Sequence, residues 1–248
     1  MPRASRLLAL LLPLVGSCAQ PSRKYSGEDR KPLLEAARLE AGGGPEAAAL
    51  LAEALRSPFA RVRERALRAL SRLEPAPDPA PFEAILRTDR SANVRRQAAH
   101  ALGTLRGAPS PALLEALRDA DPGVRRESVR ALSWLDDTPP AAIEGASRDP
   151  DPLVRREAIF AMARTRSPLL EARIAEGVRL ENDESVRWGF FKVLAWRPEA
   201  ARGLEADLLR GAADPNWLVA LHALAALRRG TRADGVDVIL RLLERRAF

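Results

Sequence analysis

The chain repeats a phrase. Around Val94 it reads NVRRQAAHAL, around Val124 GVRRESVRAL, and around Val154 LVRREAIFAM. Weaker copies surround Val62 (RVRERALRAL) and Val186 (SVRWGFFKVL), and a degenerate sixth surrounds Val219 (LVALHALAAL). The six valines lie 32, 30, 30, 32 and 33 residues apart. A period near 30 residues specifies a stack of small helical units, each burying its apolar face on the next, not one closed core. The predicted architecture is all-α, with about six helix-pair repeats.

From Pro32 onward apolar residues recur at helical spacing, and no sustained strand alternation interrupts them. First helices are predicted to begin near Pro45, Pro81, Pro111, Pro140, Ser167 and Pro198. Second helices are predicted at Ser57-Pro58, Ser91, Asp121-Pro122, Asp151-Pro152, Asp183 and Asp214-Pro215. Asp or Ser caps a free backbone N–H, and a following proline has a preset φ and no N–H to leave unpaired. In each second helix, the anchor and the positions four, seven and eight residues later share one face. In three copies these are Val94, Ala98, Ala101, Leu102; Val124, Ser128, Ala131, Leu132; and Val154, Ala158, Ala161, Met162. They are the predicted core.

These copies resemble the HEAT-like repeats first recognised in phycobilin lyases, a branch of the HEAT and armadillo superfamily. The resemblance covers about residues 45–229, with half-units at Leu33–Ala41 and Asp234–Arg246 as expected caps. It implies a right-handed α-solenoid over residues 32–248. It says little about activity, because this scaffold serves many tasks.

The N-terminus carries a separate signal. Arg3 and Arg6 precede an apolar run, Leu7–Val15, too short to span a bilayer. The run ends in VGSC, which resembles the lipobox of bacterial lipoproteins. That resemblance implies a signal peptide over 1–17, cleavage before Cys18, and acylation of Cys18 as the membrane anchor. Residues 18–31 then read as a polar tether, and the expected location is the cell envelope, on its periplasmic face or the cell surface. Loss of residues 1–17 leaves 38 cations against 33 acids, a net of +5. No second cysteine exists to form an intramolecular disulfide with Cys18.

Two sets of basic residues stand out. Arg63, Arg95, Arg125, Arg155 and Arg187 each follow an anchor valine, and stacking makes them a ladder. Asp89, Asp119, Asp121, Asp149, Asp151 and Asp183 are the candidate partners, which gives the ladder a structural role. The second set occupies positions two, six and ten after each anchor, on the expected concave side. Those 18 positions hold nine cations and one acid, Glu64. The candidate binding stripe is Arg96, Arg126, Arg130, Trp134, Arg156, Arg164, Trp188, Lys192 and Trp196, with Trp188 and Trp196 expected to be exposed. Arginine beside aromatic rings suits acidic peptides, anionic sugars or phosphates, so the expected partner is another protein or an acidic envelope component.

Enzyme readings find less support. His100 and His222 are the only histidines, so no catalytic or metal-binding set of Cys and His is expected, and no cofactor. HEAT-type deoxyhypusine hydroxylases use repeated His-Glu pairs for iron, and this chain has none. Gly-rich phosphate loops and nucleophile elbows are absent from the sequence. HEAT-like alkylpurine DNA glycosylases place a basic, tryptophan-bearing face on this scaffold, making a cytoplasmic nucleic-acid-processing enzyme the alternative. Export would separate the protein from nucleic acid and disfavours it. The expected function is therefore a non-catalytic, membrane-tethered scaffold.

Overall fold

The computed structural model describes residues 45–230 apart from 74, 75, 106 and 108. The signal segment, Cys18, the tether and both half-unit caps predicted above lie outside the described residues. Twelve α-helices are described, and they pair. The pairs are α1 (Pro45–Ala54) with α2 (Ala60–Leu70), α3 (Ala80–Thr88) with α4 (Ala92–Thr104), and α5 (Pro111–Ala116) with α6 (Pro122–Leu132). They continue as α7 (Pro140–Ala146) with α8 (Pro152–Arg164), α9 (Leu170–Leu180) with α10 (Glu184–Trp196), and α11 (Glu205–Ala212) with α12 (Trp217–Gly230). The arrangement is an α-solenoid. No described helix is long and apolar enough to cross a membrane.

The anchor valines set the packing. All six are buried, and so are the predicted core positions four, seven and eight residues beyond Val94, Val124 and Val154. The face is wider than predicted, because Leu67, Ala99, Val129, Ile159 and Phe191, five residues after their anchors, are buried as well. Within α6, Val124 and Leu132 join the cluster of the first repeats and Val129 joins that of the last, so one helix serves two neighbours. Second helices contact each other along the whole stack, from α2 to α12, whereas first helices meet more sparsely. The layer in closer contact is the inner one, so the even-numbered helices line the inner face.

Helix starts follow a strict register. The cap lies three residues before each anchor, where Asp121, Asp151 and Asp183 accept backbone N–H groups at 2.8–3.1 Å. In the first and last repeats that position holds Phe59 and Asn216, so α2 and α12 begin two residues after the predicted Ser57-Pro58 and Asp214-Pro215. Asn216 Oδ1 accepts the Leu218 N–H at 2.9 Å. Two first helices also depart from prediction. The chain turns at Arg166 (φ 52°) and α9 starts at Leu170, not at Ser167. Pro198–Ala201 forms only a 3-10 turn. Gly203 then adopts a left-handed φ of 76°, and α11 follows.

Candidate binding face

The loop between the two helices of each repeat builds the ladder. Five residues before the anchor stand Asp89, Asp119, Asp149, Glu181 and Asp214. Each receives the arginine that follows the previous anchor. The pairs are Arg63–Asp89 (2.6 Å), Arg95–Asp119 (2.7 Å), Arg125–Asp149 (2.8 Å), Arg155–Glu181 (2.9 Å) and Arg187–Asp214 (3.1 Å). The first four use two guanidinium nitrogens on two carboxylate oxygens. A third nitrogen donates to a loop carbonyl of the arginine's own repeat, as from Arg125 to Asp119 O at 2.9 Å. Burial raises the Asp149 carboxyl pKa, but hydrogen bonds from Arg125 and from the Asp151 N–H outweigh it. Asp149 is held below the ordinary carboxylate range, and Asp89, Asp119 and Glu181 are held low in the same way. Of the predicted acids, Asp121, Asp151 and Asp183 cap helices instead. The ladder ties repeat to repeat and is spent in doing so.

The inner stripe is more neutral than its sequence implies. Three residues after the anchors of α6 and α8 stand Glu127 and Glu157, both buried. Arg130 bridges them at 3.1 and 3.2 Å, and Arg164 reaches Glu157 at 3.0 Å. His100 Nδ1 lies 3.0 Å from Glu127 Oε1 and meets the Trp134 ring edge-on. With the carboxylate as acceptor, Nδ1 is the donor. Arg130 and Arg164 are therefore committed to internal carboxylates. Arg96, Arg126 and Arg156 have no ion-pair partner among the described residues.

Toward the C-terminal repeats the face becomes aromatic. Phe160 meets Trp188 edge-on at 5.8 Å and lies 5.7 Å from Trp196. The Lys192 ammonium sits 4.5 Å from the centre of Trp188, 5.2 Å from Trp196 and 5.5 Å from Phe160. Arg156 covers Trp188 at 5.5 Å. Cations held over ring faces gain from the ring quadrupole. Trp196 is 49% exposed and Trp134 43%, but Trp188 is half-buried, contrary to expectation, because Phe160, Lys192 and His222 enclose it. Trp217, at 70%, extends the exposed aromatics to the start of α12.

Buried donors without an acceptor are rare in folded proteins, since each costs free energy. Among the described residues there are three: Gln97 Nε2, Arg126 Nε and Trp188 Nε1. All three stand two or three residues after an anchor, on α4, α6 and α10 of the inner layer. Residues of α2, α4 and α6 also line a cavity of about 350 Å³ on this face, including Arg96, Gln97, His100 and Arg130. A cluster of three or more metal-ligating side chains does not occur among the described residues.

No curated protein matches the chain significantly. The crystal structure of YibA from Escherichia coli is similar over 91% of this chain and 93% of its own, at 18% identity and a TM-score of 0.63. An engineered protein covers 78% of this chain and 98% of its own, at 19% identity and a TM-score of 0.53. A designed armadillo repeat protein covers 73% of this chain and 98% of its own, at 20% identity and a TM-score of 0.50. These likenesses concern fold. The HEAT-repeat family profile matches residues 79–145 and 139–228, more than half of the chain and five of the six anchor valines, so the chain belongs to the HEAT-repeat family.

Proposed function

We propose that the protein is a non-catalytic scaffold, tethered to the membrane through Cys18, that binds an acidic protein segment along its inner helix face. The observation that carries this reading is the placement of unsatisfied donors. Gln97 Nε2, Arg126 Nε and Trp188 Nε1 are buried without acceptors, and Arg96 and Arg156 lack carboxylates, all on one face. The arginines of the ladder, by contrast, each hold an acid of the next repeat. A face offering donors and cations is complementary to a partner offering acceptors and negative charge. The tether rests on the VGSC motif after a basic and then apolar segment.

Two measurements test the reading. Cys18→Ser should release the protein from membranes and abolish labelling by a fatty-acid probe. Unchanged recovery and labelling would overturn the tether. Capture of partners from detergent-solubilised membranes by the intact chain should be lost on charge reversal at Arg96 and Arg156. A partner whose capture ignores both reversals places the interface elsewhere.

A further inference from the structure

The cavity between α2, α4 and α6 has a donor set more specific than general positive charge. Its wall carries Glu127, but both Glu127 oxygens are taken, one by His100 and one by Arg130. Arg130 in turn spends a second nitrogen on Glu157. Ser71 and Thr104, also in the wall, donate their hydroxyls to the Arg68 and Ala101 carbonyls. Two adjacent residues of α4 remain unfilled. Arg96 is exposed, has no carboxylate, and rests its stem near Gly123 at the start of α6. Gln97 keeps a buried Nε2 without an acceptor. The wall therefore places the Arg96 guanidinium fork beside the buried Gln97 amide, with Arg68, held only by Glu64 at 3.4 Å among the described residues, and Arg72 in the same lining.

We propose that this cavity is a carboxylate-binding subsite, taking an acidic side chain or the C-terminal carboxylate of a peptide segment. The proposal rests on the inner-face reading above. A planar guanidinium matches a carboxylate in two parallel hydrogen bonds. The Arg96 fork beside the neutral Gln97 amide suits a carboxylate, which brings one negative charge and several acceptor positions. At about 350 Å³ the space lies at the small end of ligand pockets and admits a side chain with part of its backbone.

Fluorescence anisotropy with the full chain in detergent tests this, using labelled tetraglutamate capped at both ends. A second peptide, tetraglutamine with a free C-terminus, separates the two carboxylate sources. Saturable binding of either peptide is expected, with none for capped tetraglutamine. Arg96→Ala should weaken binding about tenfold or more. Gln97→Met should weaken it severalfold, and Arg118→Ala, on the exposed end of the outer layer, should leave it unchanged. Circular dichroism should show unchanged helicity in all three variants. Equal binding of capped tetraglutamine, indifference to both α4 substitutions, or displacement by glucose 6-phosphate at lower concentration than by free glutamate peptide would each overturn the carboxylate assignment. Peptide binding that fails while partner capture still needs Arg96 and Arg156 removes this inference alone. Binding that follows Arg96 and Gln97 while capture ignores the inner face removes the broader reading instead.

Discussion

The Phe190 ring packs directly on the backbone of Gly177, so that a Cβ at 177 would overlap the ring tip. Phe190 is fully buried, and the Arg173 guanidinium lies 5.2 Å over its ring. Arg173 is itself fixed by two hydrogen bonds to Ser147. The ring therefore has little room to retreat. Gly177→Ala should lower stability by about 1–3 kcal/mol through overpacking, despite alanine's better helix propensity. Gly145, in α7, has open space around its Cβ position. Gly145→Ala should raise stability by about 0.4–1 kcal/mol. Denaturant melts of the pair check this, and a stabilised Gly177→Ala variant would show that the ring has an alternative site.

The ladder gives the fold an acid limit. Asp89, Asp119, Asp149 and Glu181 have folded pKa values below their unfolded ones. Such groups contribute stability that is fully present above the unfolded value of about 4 and is lost as pH falls through the folded value. Thermal melts should therefore be flat from neutrality to about pH 5 and fall below it. Arg125→Ala should cost about 2–4 kcal/mol at pH 7, because Asp149 loses its charge partner in a mostly buried loop. Adding Asp149→Ala should recover part of that loss. A strictly additive double variant would mean the pair is not coupled.

Opposite faces of α6 should respond differently. Val124 is fully buried, so Val124→Ala removes packed methyl groups and should cost about 1–3 kcal/mol. Arg126 keeps a buried Nε with no acceptor, so its removal deletes an unsatisfied donor. Arg126→Ala should fall within about 0.5 kcal/mol of the parent, with the balance toward stabilisation. Equal losses in urea melts would mean that Arg126 is held by contacts absent from this structure.

Residue by residue, the sequence exposes some of these features and hides others. The valine register announces the stack because burial repeats at a fixed period, and the ladder arginines inherit that period. Their acids were only half legible: aspartates occur both three and five residues before the anchors, and only the loop geometry separates cap from ion pair. Phe59 and Asn216 hid two helix starts, since the expected Ser-Pro and Asp-Pro signals fall at the ladder position. Glu127 and Glu157 sit one residue outside the stripe register, yet they neutralise Arg130 and Arg164. The Gly177 notch has no one-dimensional signal, because it depends on which ring faces it from α10.

Lys192 offers a test of the aromatic cluster. Its ammonium touches three rings and no carboxylate among the described residues. Lys192→Met keeps the stem and removes the charge, and should cost about 0.5–2 kcal/mol. Lys192→Arg should retain most of that. Tryptophan emission should shift in Lys192→Met, because Trp188 and Trp196 both lose the adjacent cation. An unchanged spectrum and unchanged melt would show the lysine to be solvated away from the rings.

The inner-face arginines divide into committed and available groups, and that division predicts opposite phenotypes. Arg96 and Arg156 have no carboxylate partner among the described residues, so Arg96→Glu should leave the melting temperature nearly unchanged and Arg156→Glu should lose only its contact over Trp188, about 0.5–1 kcal/mol. Arg130 bridges two buried carboxylates, so Arg130→Glu places a third negative charge beside Glu127 and Glu157. That variant should lose about 3 kcal/mol or more, whatever the partner. In a capture assay, Arg96→Glu and Arg156→Glu should weaken binding while the protein stays folded, and added salt should mimic them, since exposed charges are screened over about 8–10 Å near physiological ionic strength. Trp196→Ala should weaken capture with little salt dependence, because apolar contact with its exposed ring is not screened. If Arg130→Glu alone abolished capture while the other reversals had no effect, the loss would trace to unfolding of α6 and α8, and the inner face would be structural surface.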